Sequence, residues 1–435
     1  MRAKLGLLLI LGAVVVTVQP VAASQYVAPV DEIPLTSLRP TGARSLGMGG
    51  VGLAVLDDAS AIIVNPAALA RMRRIEVGAG LSRAVDDVSG SAFGEGFDSS
   101  LSRTRLSTLR FAYPFPTFRG SLVLGLSRER IFDFGTDFIA DGYRREIEWD
   151  EPGSDDPETG PWGQREDYTA DGGVTAWSLG CAFDASPGIS LGASASYWTG
   201  SIETRYLWGS YDDDELSPSY DSLTLDVVSE ADISGVRAKL GGLFYLTDRV
   251  AMGVVIESPV AVRLDGVTET SYRWTGTSTG RVDTTVYFVD EVTLPFSFGA
   301  GVAYTPTDFV MIGADVVFTD WSEIDYAGRV WLDDPAERRA AYEATTEIRA
   351  GVEFIVPSLP LRLRAGYMSS PLAYRGYDID SDRSYFTLGA GVLIDTVLAL
   401  DAAFVTGGFE RSRDETDYTV QQDETLVVLE AHYRF

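Results

Sequence analysis

The chemistry available to this chain is limited by two residue counts, one histidine and one cysteine in 435 positions. A Ser-His-Asp relay needs a histidine within hydrogen-bond reach of a nucleophile. His432 stands four residues from the last position, inside an alternating apolar pattern, with no evident serine partner. The same geometry disfavours an outer-membrane phospholipase, which would need a Ser/His pair at one rim. Cys181 alone can form neither an intrachain disulfide framework nor a CxxC metal site. No catalytic residue, metal site or cofactor is therefore expected. The formal charge of −28 argues against a general nucleic-acid partner.

What remains is a pattern for positioning chains in a membrane. Hydrophobic residues make up 45% of the sequence, yet the mean hydropathy is only +0.04, so apolar residues are dispersed. Beyond the N-terminus no run of about 18 apolar residues offers a transmembrane helix. The N-terminus itself reads as an export signal: Arg2 and Lys4, an apolar core from Leu5 to Val18, then Pro20 and a small-residue site at Val21-Ala22-Ala23-Ser24. Residues 1–24 are assigned to it, and losing its two cations would take the charge from −28 to −30. The last eleven residues, Thr425 to Phe435, place Val427, Leu429, Ala431, Tyr433 and Phe435 on one face. An alternating strand ending on Phe is what bacterial barrel-assembly machinery accepts.

Between these ends the period-two pattern recurs. Fourteen strands are expected, near 75–84, 104–115, 119–132, 173–185, 188–207, 230–246, 249–265, 292–305, 309–331, 342–356, 360–369, 384–395, 397–409 and 425–435. A membrane strand needs about 9–11 residues, so each can cross. Six short turns alternate with seven longer segments near 85–103, 133–172, 208–229, 266–291, 332–341, 370–383 and 410–424, and acidic clusters fall in the longer ones. This is the long-short order of an outer-membrane barrel, with both ends on the periplasmic side. The expected fold is all-β, a transmembrane antiparallel barrel over 74–435. Strand phase turns Arg237, Lys239, Glu257, Asp315, Glu347, Arg349, Glu353, Arg362, Arg364, Asp401, Glu430 and His432 inward, because a cation on the lipid face costs about 2–4 kcal/mol at mid-depth.

Residues 25–73 do not alternate. Asp57 and Asp58 can cap a turn opening at Ala59, and Asn65 precedes Pro66 at a first helical position, followed by Ala67. The segment is either an exposed periplasmic leader or a plug inside a lumen that would otherwise be open.

Ala43-Arg44-Ser45-Leu46-Gly47-Met48-Gly49-Gly50, Asp57-Asp58-Ala59-Ser60 and Asn65-Pro66-Ala67 resemble the N-terminal hatch of the outer-membrane long-chain fatty-acid and aromatic-hydrocarbon transporter family (FadL/TodX). PorV-type barrels share this opening. Leu294-Pro295-Phe296-Ser297, Asp320-Trp321-Ser322 and Arg364-Ala365-Gly366-Tyr367 resemble the first family's later segments. The resemblance implies a hatch-closed barrel in the outer membrane of a Gram-negative-type bacterium, taking up hydrophobic molecules such as long-chain fatty acids or hydrocarbons without an energy source. It places ligand contact or gating at Asp57, Asp58, Asn65, Pro66 and Ala67. It also implies lateral release at an inward kink of the third strand, which here has Gly125 but no proline. A capture surface is expected in the second long segment, with Phe132, Phe134, Phe138 and Trp149 foremost, alongside Ile139, Tyr143 and Trp162; these aromatics could equally pack the segment together. The competing reading is a structural or secretion-system-associated barrel that transports nothing itself. Expected partners are hydrophobic small molecules, outer-membrane lipids and, during biogenesis, the assembly machinery.

Overall fold

The computed structural model describes residues 42–92, 94–149, 158–212, 220–276, 279–327, 339–375, 378–413 and 418–435. The signal segment and residues 25–41 of the leader lie outside the described residues. All described residues fall in one compact unit, 36–435, that holds both the N-terminal segment and the sheet.

The sheet comprises β1 (Glu76–Ala92), β2 (Glu95–Phe115), β3 (Leu122–Asp133), β4 (Thr136–Trp149), β5 (Glu158–Ser186), β6 (Ile189–Tyr211), β7 (Tyr220–Thr247), β8 (Val250–Glu257) and β9 (Val260–Gly276). It continues through β10 (Gly280–Leu294), β11 (Ser297–Thr307), β12 (Val310–Thr319), β13 (Asp325–Ala327), β14 (Thr345–Ile355), β15 (Leu361–Ser369), β16 (Asp378–Ile394), β17 (Leu398–Arg413) and β18 (Tyr418–Arg434). Neighbours pair antiparallel throughout, and β1 pairs with both β2 and β18, so the sheet closes. Four crossings are interrupted: β3–β4, β8–β9, β10–β11 and β12–β13 each run along shared neighbours. The eighteen segments therefore make fourteen staves.

Each expected strand corresponds to one stave. The outward phase is apolar: Leu122, Leu124 and Leu126 on β3, Ile348, Val352 and Phe354 on β14, and Leu400 and Phe404 on β17 are exposed. In a membrane this exposure is the lipid contact. Aromatic rings mark its lower edge, where Tyr113 meets Phe115 and Tyr433 meets Phe435 edge-on. The Phe435 amide donates to the Ile75 carbonyl at 2.9 Å, which ties the last residue to the first stave.

The longer segments differ from expectation. Much of 85–103, 133–172 and 266–291 is not loop but strand continuing beyond the apolar band. The pattern hid this because the extensions carry only scattered apolar residues, such as Phe97, Phe138 and Tyr168 on the inner side, so the two-residue hydrophobic period is lost while pairing persists. Charged partners across strands take its place, such as Arg105 with Asp133 at 2.9 Å and Arg205 with Asp226 at 2.9 Å.

The N-terminal segment lies in the lumen. Helix α1 (Ala43–Gly47), helix α2 (Ala61–Val64) and a 3₁₀ turn over Pro66–Arg71 bury nearly every residue they contain. Wall glycines make this possible by letting hatch backbone approach wall backbone. A Cβ added at Gly351 would stand 2.2 Å from the Met48 carbonyl oxygen, one at Gly253 2.0 Å from that of Leu53, and one at Gly192 2.4 Å from the Ala67 nitrogen. Gly351→Val should consequently loosen the hatch while the barrel stays closed. Hydrogen exchange of amides 43–56 should rise by at least tenfold, and unchanged protection would contradict this docking geometry.

Candidate functional site

Backbone donors at the hatch are met by wall side chains. The Ala43 amide donates to Glu430 Oε2 at 2.8 Å, the Gly49 amide to Thr387 Oγ1 at 2.8 Å, and the Gly52 and Leu53 amides to Asp315 Oδ2 at 2.7 and 3.0 Å. Lower down, the Ala59 amide donates to Glu76 Oε1 at 2.9 Å. Short helices leave many such donors unsatisfied, and a buried orphan costs about 1–3 kcal/mol.

The five hatch residues singled out from the sequence meet different partners. Asp57 pairs with Arg44, whose other contact is Glu353 at 3.0 Å. Asp58 accepts from the Ser60 amide at 2.9 Å and also from its hydroxyl, and it starts the turn before α2. Asn65 is the central clasp. Its Nδ2 donates to the carbonyls of Leu53 at 2.7 Å and Gly242 at 3.2 Å, and its Oδ1 accepts from the Ala67 amide at 3.1 Å. Pro66 and Ala67 press their backbone against Gly192.

Beneath and beside the hatch the lumen is filled by ion pairs. Glu353 receives Arg364 at 2.7 Å as well as Arg44, and Arg364 reaches Asp401 at 2.6 Å. Arg110 bridges Glu430 at 3.0 Å and Glu129. His432 lies between Glu76 at 3.3 Å and Glu430 at 3.4 Å, so its ring is committed to two carboxylates. Strand phase anticipated Glu353, Arg364, Asp401, Glu430 and His432 as inward positions, but not Glu76, Arg110 or Glu129.

Above the hatch lies a cavity of about 160 Å³. Leu46, Leu53, Ile63 and Val64 form its floor, and Trp198, Val255, Leu294, Trp321 and Tyr385 its walls. Its margin holds three cations against two carboxylates: Glu257 takes Lys239 at 2.8 Å and Arg237 at 3.2 Å, and Arg349 takes Glu347 at 2.5 Å. Trp321 is held over the cavity by local chemistry. Asp320 accepts from the Ser322 amide at 3.1 Å and caps a 3₁₀ turn over Trp321–Glu323, while the indole donates to Thr345 Oγ1 at 3.0 Å. The Asp-Trp-Ser segment thus has a structural meaning that spacing alone did not disclose. Leu46, Leu53, Ile63, Val64 and Trp198 were not anticipated, since an apolar residue in a non-periodic segment gives no sign of which surface it faces.

Of the aromatics expected at the capture surface, Phe132, Phe134 and Phe138 are buried on the inner side rather than displayed on a loop. Phe132 stacks on Phe134 with centroids 6.5 Å apart and meets Trp198 edge-on at 5.7 Å. Phe138 sits 5.8 Å from Phe97 and 5.7 Å from Tyr168. Ile139 is exposed on the opposite face. The side chains of Tyr143, Trp149 and Trp162 lie outside the described residues.

The third stave is irregular without a proline. Its register slips between Arg130 and Phe132, and its ladder with β2 ends at Thr108–Glu129. Above that point β4 is laddered to β5. Ile131, at the slip, lines the cavity.

Closed fourteen-stave wall, lipid-facing apolar band and lumenal plug together define an outer-membrane channel protein. A family model described as outer membrane protein transport protein (OMPP1/FadL/TodX) matches residues 174–432, more than half the chain, and the protein belongs to that family. It resides in the outer membrane. The family is the first of the two resemblances, not the PorV type. Similar solved structures include a Pseudomonas aeruginosa FadL homologue, with a TM-score of 0.65 and 14% identity over 91% of this chain and 98% of that chain. The P. putida toluene transporter TodX gives a TM-score of 0.65 and 16% identity over 91% and 98%. The Ralstonia pickettii toluene transporter TbuX gives 0.61 and 16% over 92% and 99%. At these identities the likeness concerns the fold. No curated protein matches the sequence.

Two outcomes follow from this geometry. Asn65→Ala removes the donations to the Leu53 and Gly242 carbonyls and the acceptor of the Ala67 amide, so hatch docking should weaken by about 1–3 kcal/mol, read as faster exchange of the Ala67 amide; protection equal to that of the parent would refute the clasp. The second concerns Glu166, eleven residues along β5 from the lipid-facing Trp177 and hence roughly 25 Å above it at about 3.3 Å per residue and 45° tilt. Burial pushes Glu166 up to about 7, against the lowering effect of the Tyr206 hydroxyl that donates to it at 2.9 Å. The folded form therefore keeps its proton where the unfolded form has lost it. Stability from this site is full below the ordinary glutamate range and lost as pH rises toward 7. Protection of amides 164–170 should fall between pH 5 and pH 8, corrected for intrinsic exchange, and Glu166→Gln should abolish that fall.

Proposed function

We propose that the protein is a passive channel for small uncharged hydrophobic molecules, monoaromatic hydrocarbons being the class that suits it best. The observation that carries this reading is the cavity: apolar side chains from hatch and wall enclose about 160 Å³ directly above the plug. An apolar cavity of about 150 Å³ is large enough for benzene. The cations at its margin, Arg237, Lys239 and Arg349, each already contact a carboxylate, so a neutral guest can occupy the space without meeting an unpaired charge. The toluene transporters among the similar structures support the same class.

In this reading a guest enters between the buried aromatics Phe97, Phe138, Tyr168 and then Phe134, Phe132, Trp198, and settles on Leu53 and Val64. Hatch residues Asp57, Asp58, Asn65, Pro66 and Ala67 hold the floor shut through the contacts described above. Release runs sideways at the slipped third stave beside Ile131. No covalent step and no cofactor enter the account. A barrel acting only as an assembly partner has no need of an apolar cavity spanning plug and wall.

The test is binding of toluene to the purified protein, read by the fluorescence of the tryptophans, of which Trp198 and Trp321 line the cavity. Saturable quenching is expected, weakened at least tenfold by Ala176→Phe, which fills the space. Absence of any saturable response in a folded barrel would favour the structural role instead.

A further inference from the structure

The wall beside the cavity is interrupted a second time, on the side away from the third stave. Leu294 pairs with Val260 and Ser297 pairs with Glu257, so continuity of register sets Pro295 opposite Pro259 and Phe296 opposite Ser258. Neither proline has an N–H to give. Among the described residues no backbone hydrogen bond joins 258–259 to 295–296. Both strands also slip phase here: Val260 and Leu294 are buried at 1% and 2% exposure, and Ser297, three residues from Leu294, is buried too. The next stave is broken at the same level, where residues 320–324 leave the ladder between β12 and β13 around Trp321. The sixth stave stays joined, since the Ser258 amide donates to the Ala238 carbonyl at 2.9 Å.

The break stands at a useful height and faces the cavity. Phe296 lies eight residues from the lower-girdle Tyr304, about 19 Å up at about 3.4 Å per residue and 45° tilt, within an apolar band about 25 Å tall. Glu257, Leu294, Pro295, Ser297, Thr319 and Trp321 line the cavity on its inner side, and Phe296 is exposed outside. Where the ladder is intact, strand pairing must be broken before neighbouring staves can separate; between 258–259 and 295–296 the backbone bonds are missing already.

We infer that the seam between the seventh and eighth staves, at Ser258-Pro259 and Pro295-Phe296, is a lateral portal through which small uncharged hydrophobic molecules pass between the cavity and the outer leaflet. Only side-chain packing of Pro295, Phe296 and Trp321 has to yield for a guest to pass. The inference rests on the proposed channel function and adds a second wall opening, distinct from the slipped third stave.

The experiment locks the seam in intact Gram-negative cells. In a Cys181→Ser background, which removes the free thiol, Ser258→Cys and Phe296→Cys are combined so that oxidation bridges opposite positions. A control pairs Val254→Cys with Ala300→Cys, opposite residues on the same two staves where the ladder is intact. Uptake of labelled toluene should fall at least threefold on oxidation of the seam pair and recover with reductant, while the control pair shows no change. Pro259→Val combined with Pro295→Val, which restores donors to the ladder, should slow uptake without any disulfide. Equal uptake by oxidised and reduced seam variants, together with unchanged uptake by the double valine variant, overturns the portal while leaving the channel standing. If cells making the unsubstituted protein take up toluene no faster than cells lacking it, the channel reading itself fails and the portal with it.

Discussion

A barrel of fourteen staves is too wide for its own inward side chains to fill, and the rest of the structure follows from how that lumen is closed. The solution is backbone against backbone. Glycines in the wall let the hatch chain come close, and wall carboxylates and hydroxyls accept the amide protons that its short helices leave over. Removal of one acceptor exposes a buried donor rather than merely losing a contact, so the plug is held by satisfaction of polar groups more than by apolar area. The ion pairs around Glu353 and Glu430 extend the same logic downward. Each carboxylate answers both a wall arginine and a hatch group, and this couples plug and barrel.

The cavity is a consequence of that arrangement. Hatch backbone is occupied with the wall, which leaves Leu46, Leu53, Ile63 and Val64 to present an apolar floor upward. The cations at its margin each contact a carboxylate, so an apolar guest meets dispersion contacts from the floor and walls and no unpaired charge. Transport of hydrophobic molecules needs no more chemistry than this, in keeping with a sequence whose only histidine is held by two carboxylates.

Sequence periodicity located every stave because lipid on one side and a filled lumen on the other impose a strict two-residue alternation between, for instance, Ile348, Ala350, Val352 and Phe354 and their charged neighbours. It failed above the membrane, where β1, β4 and β5 continue as strands with no regular outward apolar face and only scattered inward aromatics, and their residues read as loops. The hatch was recognisable from Asn65-Pro66-Ala67, but not its floor, since nothing in the spacing of Leu53 or Val64 reveals that they point up. The third stave carries no proline, and the one-residue slip of its ladder at Ile131 could be read only from the pairing. The opposed prolines 259 and 295 could be read only once register was known, because they lie on different strands.

The most direct test is the rate at which intact Gram-negative cells take up labelled toluene with and without this protein, measured after respiration has been poisoned. A passive hydrophobic channel predicts faster uptake in the producing cells, undiminished by loss of energy supply. Equal rates in the two kinds of cell, with the barrel folded in the outer membrane, would contradict the account.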